Sequence, residues 1–382
     1  AYTVSLENLK GTTLASDYLK VMVNNNEPQL LNGLSTTDVV NTTSIESRIL
    51  DTGTLFKNNT KEYSIRLWID YNTTLEDLNN EIKVLKAKII IKGVPSNKKE
   101  SLAYRVTSLS KTDTVNLATD DADNNVRYIG ANPSNYVYFN CSDYNNPTAD
   151  TCELWRVIGV FNNITKSDGS KENLVKIIRD ESIGEIAWDD NNVNDWSTAT
   201  LQQNLNSGTY YTTTLKNDTT RNAIEEVVWN LGGTGNFTSA SNGLASHFYS
   251  NERGTTVYSG RPTTWTGKIG LMYPSDYGYA TGGGTTKDRA ACLVKELFNW
   301  KVSDFSDCKE NDYLLDVNNL QWTLAPRLVN ADAVFFVDGG GSVYINTAYT
   351  TFAVRPALFL KSSIQVDKGT GEKSNPYTLK MQ

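Results

Sequence analysis

The 382-residue chain holds a single histidine, His247. A Ser-His-Asp or Cys-His arrangement is therefore available only around Gly243-Leu244-Ala245-Ser246-His247-Phe248-Tyr249, where a structural histidine is the plainer reading. The four cysteines contain no Cys-x-x-Cys pair, which with one histidine argues against a zinc site. No apolar run approaches the ~20 residues that a membrane-spanning helix needs. Basic residues are scattered and the net charge is -7, which argues against nucleic-acid binding. Carboxylate pairs such as Asp180/Glu181, Asp189/Asp190 and Glu225/Glu226 are adjacent in sequence. Strand or helix geometry points such neighbours apart, unlike the facing pair of a glycosidase. The sequence shows neither a signal peptide nor a sorting motif, so these are either processed off or outside this chain. Nothing in it identifies a reaction, and the expectation is a protein that is not an enzyme.

What the chain does have is Asn, Thr, Ser and Tyr, residues that suit sheet surfaces and turns. Its length allows two or three domains with real cores. The expected fold class is mostly β with an α+β part. Residues 1–95 read as all-β: residues 2–7 and 18–23 are strand-like, and Val84-Leu85-Lys86-Ala87-Lys88-Ile89-Ile90-Ile91 is another strand. Residues 61–70 alternate with period two, placing Tyr63, Ile65, Leu67 and Ile69 on one face. This is a small β-sandwich pattern. Residues 96–124 read as a polar linker containing Lys98 and Lys99, with Ala103-Tyr104-Arg105-Val106 as a short helix or strand.

A second domain is expected over residues 125–382. Tyr136-Val137-Tyr138-Phe139, residues 153–161 and residues 174–179 make three early antiparallel strands. Helices are expected over residues 195–205, with Thr198, Leu201 and Leu205 on one face, and over 218–229, ending at Gly232-Gly233. Residues 230–286 read as loops and short strands, and residues 293–298 as a helical turn. Phe335-Phe336-Val337-Asp338-Gly339-Gly340-Gly341-Ser342-Val343-Tyr344 reads as a hairpin, because glycine reaches positive φ without steric penalty. The apolar run Phe352-Ala353-Val354-Arg355-Pro356-Ala357-Leu358-Phe359-Leu360 is expected in the middle of a sheet.

Cys141, Cys152, Cys292 and Cys308 allow three disulfide connectivities. Spacing favours the local one, Cys141 with Cys152 and Cys292 with Cys308, each closure stabilising by about 3 kcal/mol. Free buried thiols are the alternative. Two disulfides imply an oxidising compartment, hence an extracellular or cell-surface protein.

Six motifs occur in order: Glu153-Leu154-Trp155-Arg156-Val157-Ile158-Gly159-Val160, Lys176-Ile177-Ile178-Arg179-Asp180, Asn194-Asp195-Trp196-Ser197, Trp229-Asn230-Leu231-Gly232-Gly233, Gly267-Lys268-Ile269-Gly270-Leu271-Met272 and Val354-Arg355-Pro356-Ala357-Leu358. By these, residues 125–380 resemble a family of Gram-positive surface proteins with a C-type-lectin-like or formylglycine-generating-enzyme-like domain. The resemblance implies that the first and last strands, 155–161 and 354–360, lie side by side. The reactive cysteines of those enzymes are not carried over, because the cysteines here read as loop staples. The N-terminal part resembles the β-sandwich repeats of bacterial surface and biofilm-fibre proteins, through Ile49-Leu50-Asp51-Thr52-Gly53-Thr54-Leu55 and Tyr63-Ser64-Ile65-Arg66-Leu67-Trp68-Ile69-Asp70. Such sandwiches carry one or two strands before the one at Tyr2, Val4 and Leu6. The resemblance thus implies an open edge, filled either by chain outside this sequence or by another subunit, with residues 2–6 as an assembly strand.

For binding, Tyr249, Arg253, Tyr258, Arg261, Trp265, Tyr273, Tyr277 and Tyr279 cluster in the Gly-rich segment. Aromatic rings with arginine on loops suit sugar or protein recognition; the alternative is that they fill a core beneath long loops. Asp121-Ala122-Asp123-Asn124-Asn125 and Asp189-Asp190-Asn191-Asn192 are oxygen-rich in the manner of Ca²⁺ loops but lack the full pattern, and solvated turns are the stronger reading. No other cofactor is expected. The leading expectation is a non-catalytic structural or fibre-forming surface subunit that self-associates into a polymer. The alternative is a monomeric adhesin for a glycan or a host-surface protein, and an enzyme comes third.

Overall fold

The computed structural model describes residues 2–24, 26–40, 42–53, 60–93 and 100–381. The chain is mostly β, with several sheets, and divides into two compact units, Ala1–Lys98 and Lys99–Gln382.

The first unit contains β1 (Tyr2–Leu9), β2 (Leu19–Val23), β3 (Gln29–Leu30), β4 (Ser44–Gly53), β5 (Ile65–Ile69) and β6 (Ala87–Gly93). They form two antiparallel sheets, ordered β4-β1-β6 and β3-β2-β5. Period-two patterning buries Leu19, Val21 and Val23 of β2 while Lys20 and Met22 stay half-buried. Leu6 of β1 joins them, with Leu14 and Leu31, in one small apolar cluster shared by both sheets. Tyr63, Ile65 and Leu67 pack against that cluster, whereas Ile69, at the end of an edge strand, is exposed.

The strand carrying Tyr2, Val4 and Leu6 is the middle strand of its sheet, paired on both sides within its own chain. No open edge adjoins that strand; the edges of its sheet are β4 and β6. The outer edge of β4 is met by residues 35–37, through Thr37 N donating to Ser47 O and Ile49 N to Ser35 O. Among the described residues, β6 has no such neighbour on its outer side. Thr54, Leu55, Lys98 and Lys99, which figured in the sequence expectations, lie outside the described residues.

In the second unit the elements are α1 (Leu102–Leu109), β7 (Leu117–Ala118), β8 (Val126–Tyr128), β9 (Tyr136–Phe139), β10 (Glu153–Thr165), β11 (Lys171–Arg179), β12 (Glu185–Ala187), α2 (Thr200–Asn206), α3 (Asp218–Ala223) and β13 (Val227–Asn230). They continue with α4 (Ala245–Glu252), β14 (Thr264–Gly267), β15 (Ile269–Gly270), α5 (Pro274–Ala280), α6 (Arg289–Leu293), α7 (Ser306–Glu310), β16 (Gln321–Pro326), β17 (Ala333–Val337), β18 (Val343–Thr347), β19 (Thr351–Ala353), β20 (Ala357–Leu360), β21 (Gln365–Lys368) and β22 (Thr378–Lys380). One sheet runs β15-β20-β11-β10-β8-β7, with β9 also on β10; a second runs β12-β19-β16-β17-β18; β13-β14 and β21-β22 are ribbons.

Several expectations change here. Much of the segment expected as a linker belongs to this unit: Ser101 caps α1 by accepting from Tyr104 N, and Leu102, Val106 and Leu117 enter the core. Residues 155–161 and 354–360 are both buried, yet β11 stands between them, pairing β10 on one side and β20 on the other. The first expected helix shortens to α2, because Asp195 Oδ1 accepts from Ser197 N and forms a turn. Leu201 and Leu205 are buried, but Thr198 is exposed. The second helix stops at α3. The β-branched pair Val227-Val228 instead builds a strand against β14. The segment expected as loops contains α4 and α5.

Other expectations hold. The disulfides are Cys141–Cys152 and Cys292–Cys308. Strands β17 and β18 form the hairpin, its turn closed by Ser342 N on Asp338 Oδ1 at 2.8 Å and by Gly341 at φ +87. The apolar run 352–360 is divided between β19 and β20, which are interior strands of two different sheets.

At one point β8 crosses β10 closely enough to require glycine. A Cβ on Gly159 would lie 2.1 Å from Val126 O. Gly159→Ala should destabilise the protein by about 1–3 kcal/mol or more, read as a lower urea midpoint; an unchanged midpoint contradicts this packing.

Candidate functional site

The centre of the second unit is polar, which is unusual for a core. Lys176 of β11 is fully buried, in the apolar run Leu174-Val175-Lys176-Ile177-Ile178. Its Nζ meets Asp276 Oδ2 at 2.5 Å. Asp276, in the first turn of α5, also accepts from Arg127 of β8 (NH1 to Oδ1, 2.9 Å) and from Tyr273 N at 2.9 Å. Arg127 in turn pairs through Nε with Asp121 Oδ2 at 2.6 Å. Two cations and two anions balance one another, so no net charge is buried in this set. Burial alone would raise the Asp276 carboxyl, but Lys176 and Arg127 hold it down to about 2. Burial pulls the Lys176 ammonium below its ordinary value. Aromatic faces complete the enclosure. The Arg127 guanidinium lies 4.6 Å from the Phe161 ring centre and 5.1 Å from that of Tyr279.

Beside this network opens a cleft of about 280 Å³. Its walls come from the 121–125 loop (Asp123, Asn125), the end of β10 (Asn162, Asn163), Lys171, Asn230, and Tyr249 and Arg253 at the end of α4. Asn163 holds φ +55, a conformation Asn tolerates better than most residues. Tyr249 OH donates to Asp123 Oδ2 at 2.6 Å and accepts from Asn125 Nδ2 at 2.7 Å. Arg253 stacks on the Tyr249 ring, 3.4 Å from its centre, and reaches the buried Glu252 through NH1 at 3.3 Å. Glu252 accepts from Ser275 N and Oγ. Burial raises the Glu252 carboxyl, with Arg253 and Ser275 opposing it. The cleft thus offers amide donors and acceptors, a carboxylate and a guanidinium, a set suited to hydroxyl-rich or peptide groups.

The aromatic and arginine residues expected to bind ligand do not share one surface. Tyr249 and Arg253 line the cleft, and Tyr273 lies behind it, its hydroxyl donating to Asn230 O at 3.0 Å. Tyr258, Arg261 and Trp265 are half-buried elsewhere. Arg261 reaches Asn194 Oδ1 and Ala331 O, and Trp265 packs edge-on against Trp196. Tyr277 is a core residue, hydrogen-bonded to Gly341 O and packed on Trp300. Tyr279 is buried as well. The core-filling alternative therefore describes Tyr273, Tyr277 and Tyr279.

The oxygen-rich runs are occupied by their own chain. Asp121 accepts from Asn125 N, Asn125 Nδ2 and Arg127 Nε, and Asp189 accepts from Val193 N and Thr200 N. Among the described residues, no three His, Cys, Asp or Glu side chains gather to hold a metal ion. Sequence reasoning passed over Lys176, Arg127, Glu252 and Asp276. The one available signal was Lys176 itself, a lone cation inside a buried strand.

No family model, curated protein or solved structure matches the chain, so its function is read from its own residues.

Arg127→Met leaves Asp121 buried without its cation and should destabilise the protein by about 3–5 kcal/mol; a loss under about 1 kcal/mol in urea unfolding contradicts the network. A second outcome concerns pH. Glu252 has a raised folded pKa, so its contribution to stability is complete below the ordinary 4.5 and is lost as pH rises through the folded value. Arg253→Ala removes an opposing cation and raises that value further. The stability gap between variant and parent should therefore widen from pH 4 to pH 7; a gap independent of pH contradicts the assignment.

Proposed function

We propose that this is a non-catalytic protein of the extracellular bacterial surface. On this reading it is a structural, fibre-forming subunit in which an N-terminal β-sandwich carries a C-type-lectin-like α+β domain. The observation that supports it most is the edge of β6. In the β1–β6 register Ile91 lies opposite Val4 and Ile89 opposite Leu6, and directly opposed residues share a face of the sheet. Val4 and Leu6 are 1% and 2% exposed, whereas Ile89 and Ile91 are 45% and 69% exposed. Two isoleucines on the core side are left exposed beside a strand edge that has no ladder among the described residues, which is a template for strand addition.

Charge narrows the choice of neighbour. Antiparallel pairing of two β6 strands about Ile90 would set Lys88 against Lys92, and like charges directly opposite are destabilising. The added strand is then a different one, giving a head-to-tail contact, and such contacts build filaments when they do not close. Self-association into a polymer follows. Two disulfides fit an oxidising compartment outside the cell. No helix among the described residues is long and apolar enough to cross a membrane.

A second reading, a monomeric adhesin for a glycan or a host-surface protein, is favoured by the polar cleft at Tyr249 and Arg253. The two readings separate by electron microscopy and sedimentation of the purified chain. A fibre subunit forms polymers that survive dilution, and Ile89→Lys with Ile91→Lys abolishes them while the chain stays folded, since both side chains are largely exposed. A parent protein that stays monomeric at every concentration overturns the fibre reading.

A further inference from the structure

Lys176 and Asp276 form a close ion pair, Nζ to Oδ2 at 2.5 Å, in the dry interior of the second unit. Their side chains come from β11 and α5, 100 residues apart, and are 0% and 1% exposed. The Lys176 amine is ringed by aromatic faces: Tyr273 at 4.5 Å, Trp229 at 5.2 Å, Phe161 at 5.6 Å and Phe359 at 5.7 Å from their centres. The carboxylate is fixed independently, by Arg127 NH1 on Oδ1 and Tyr273 N on Oδ2. Neither group is exposed to solvent.

We propose that Lys176 and Asp276 condense into an intramolecular isopeptide bond, a covalent tie between β11 and α5. The reaction needs no oxidant and no co-reactant, because the ion pair already holds every atom. One proton passes from Nζ to Oδ2, giving an amine and a carboxylic acid. The nitrogen lone pair adds to Cγ of Asp276, and the charge that develops on Oδ1 falls on the guanidinium of Arg127. A second proton moves from Nζ to Oδ2, the Cγ–Oδ2 bond breaks, and Oδ2 leaves as water. The third hydrogen stays on the new amide nitrogen, and Oδ1 remains as its carbonyl, still accepting from Arg127.

Three features favour the product. Holding amine and carboxyl together replaces a bimolecular encounter, for which effective molarities reach roughly 10⁵–10⁸ M. Exclusion of water removes the reagent for the reverse step. Condensation also deletes one buried cation and one buried anion together, ending their desolvation penalty and leaving Arg127 paired with Asp121. Burial, which lowers the basicity of Lys176, assists the neutral amine. Arg127 opposes the neutral acid by holding Asp276 ionised, so formation is expected as a slow, single event after folding. The proposal stands apart from the assembly reading, since it concerns only the interior of the second unit.

Intact mass of the full chain, denatured so that no ion pair survives, is the test. The expected mass is lower by one water than that of the sequence with its two disulfides. After reduction and trypsin digestion, residues 172–179 should appear joined to residues 269–287, uncut after Lys176. Lys176→Arg, which keeps the charge but cannot close the amide, should restore the lost water. Asp276→Asn should release ammonia in place of water and reach the parent's cross-linked mass. A parent protein at full sequence mass, with cleavage after Lys176, overturns the proposal whatever the variants do. A deficit that persists in Lys176→Arg reports dehydration elsewhere, such as at Asp338-Gly339, and overturns it equally.

Discussion

Arg127, Lys176 and Asp276 set the terms for the second unit. They come from β8, β11 and α5, elements far apart in sequence, and none of them reaches solvent. Removing any one leaves its partners charged in a dry interior, an error of several kcal/mol that a marginally stable domain cannot absorb. The elements that supply them must therefore form together. The aromatic shell of Phe161, Trp229, Tyr273 and Phe359 follows from the same demand, since ring faces tolerate a cation that aliphatic groups would not. Even the cleft depends on it. Asp121 binds both Arg127 and the amides of its own loop, so the network that closes the core also shapes the wall carrying Asp123 and Asn125.

The two units solve the stability problem differently. The second has a continuous core, two disulfides and a buried polar hub. The first has a small apolar cluster between two three-stranded sheets, and Ile89 and Ile91 of β6 are exposed.

Strands whose neighbours are close in sequence were legible from residues alone. β9 and β10 flank the first disulfide loop, and β17 and β18 flank Asp338-Gly339-Gly340-Gly341; both pairings follow from local patterning and turn chemistry. The local disulfides were legible for the same reason. Long-range placement was not. Nothing in residues 174–179 says that this strand inserts between β10 and β20. The apparent helix over 218–229 failed at Val227-Val228, where pairing with β14 outweighed a helical spacing. The expectation of an open edge beside Tyr2, Val4 and Leu6 failed for a related reason: their pattern announces a buried strand but not that both its sides are filled. As for the site, the aromatic residues of the Gly-rich segment drew attention by type, and Tyr273, Tyr277 and Tyr279 lie in the core. The charged residues that matter most are scattered over positions 121 to 276, and only the fold brings them together.

Hydrogen–deuterium exchange on the intact chain tests the central claim most directly. If the buried charges join β8, β11 and α5 into one cooperative body, the amides of residues 126–128, 174–178 and 276–280 exchange last and at a common rate. Exchange of the α5 amides at the pace of the neighbouring loops, while β11 remains protected, would contradict it.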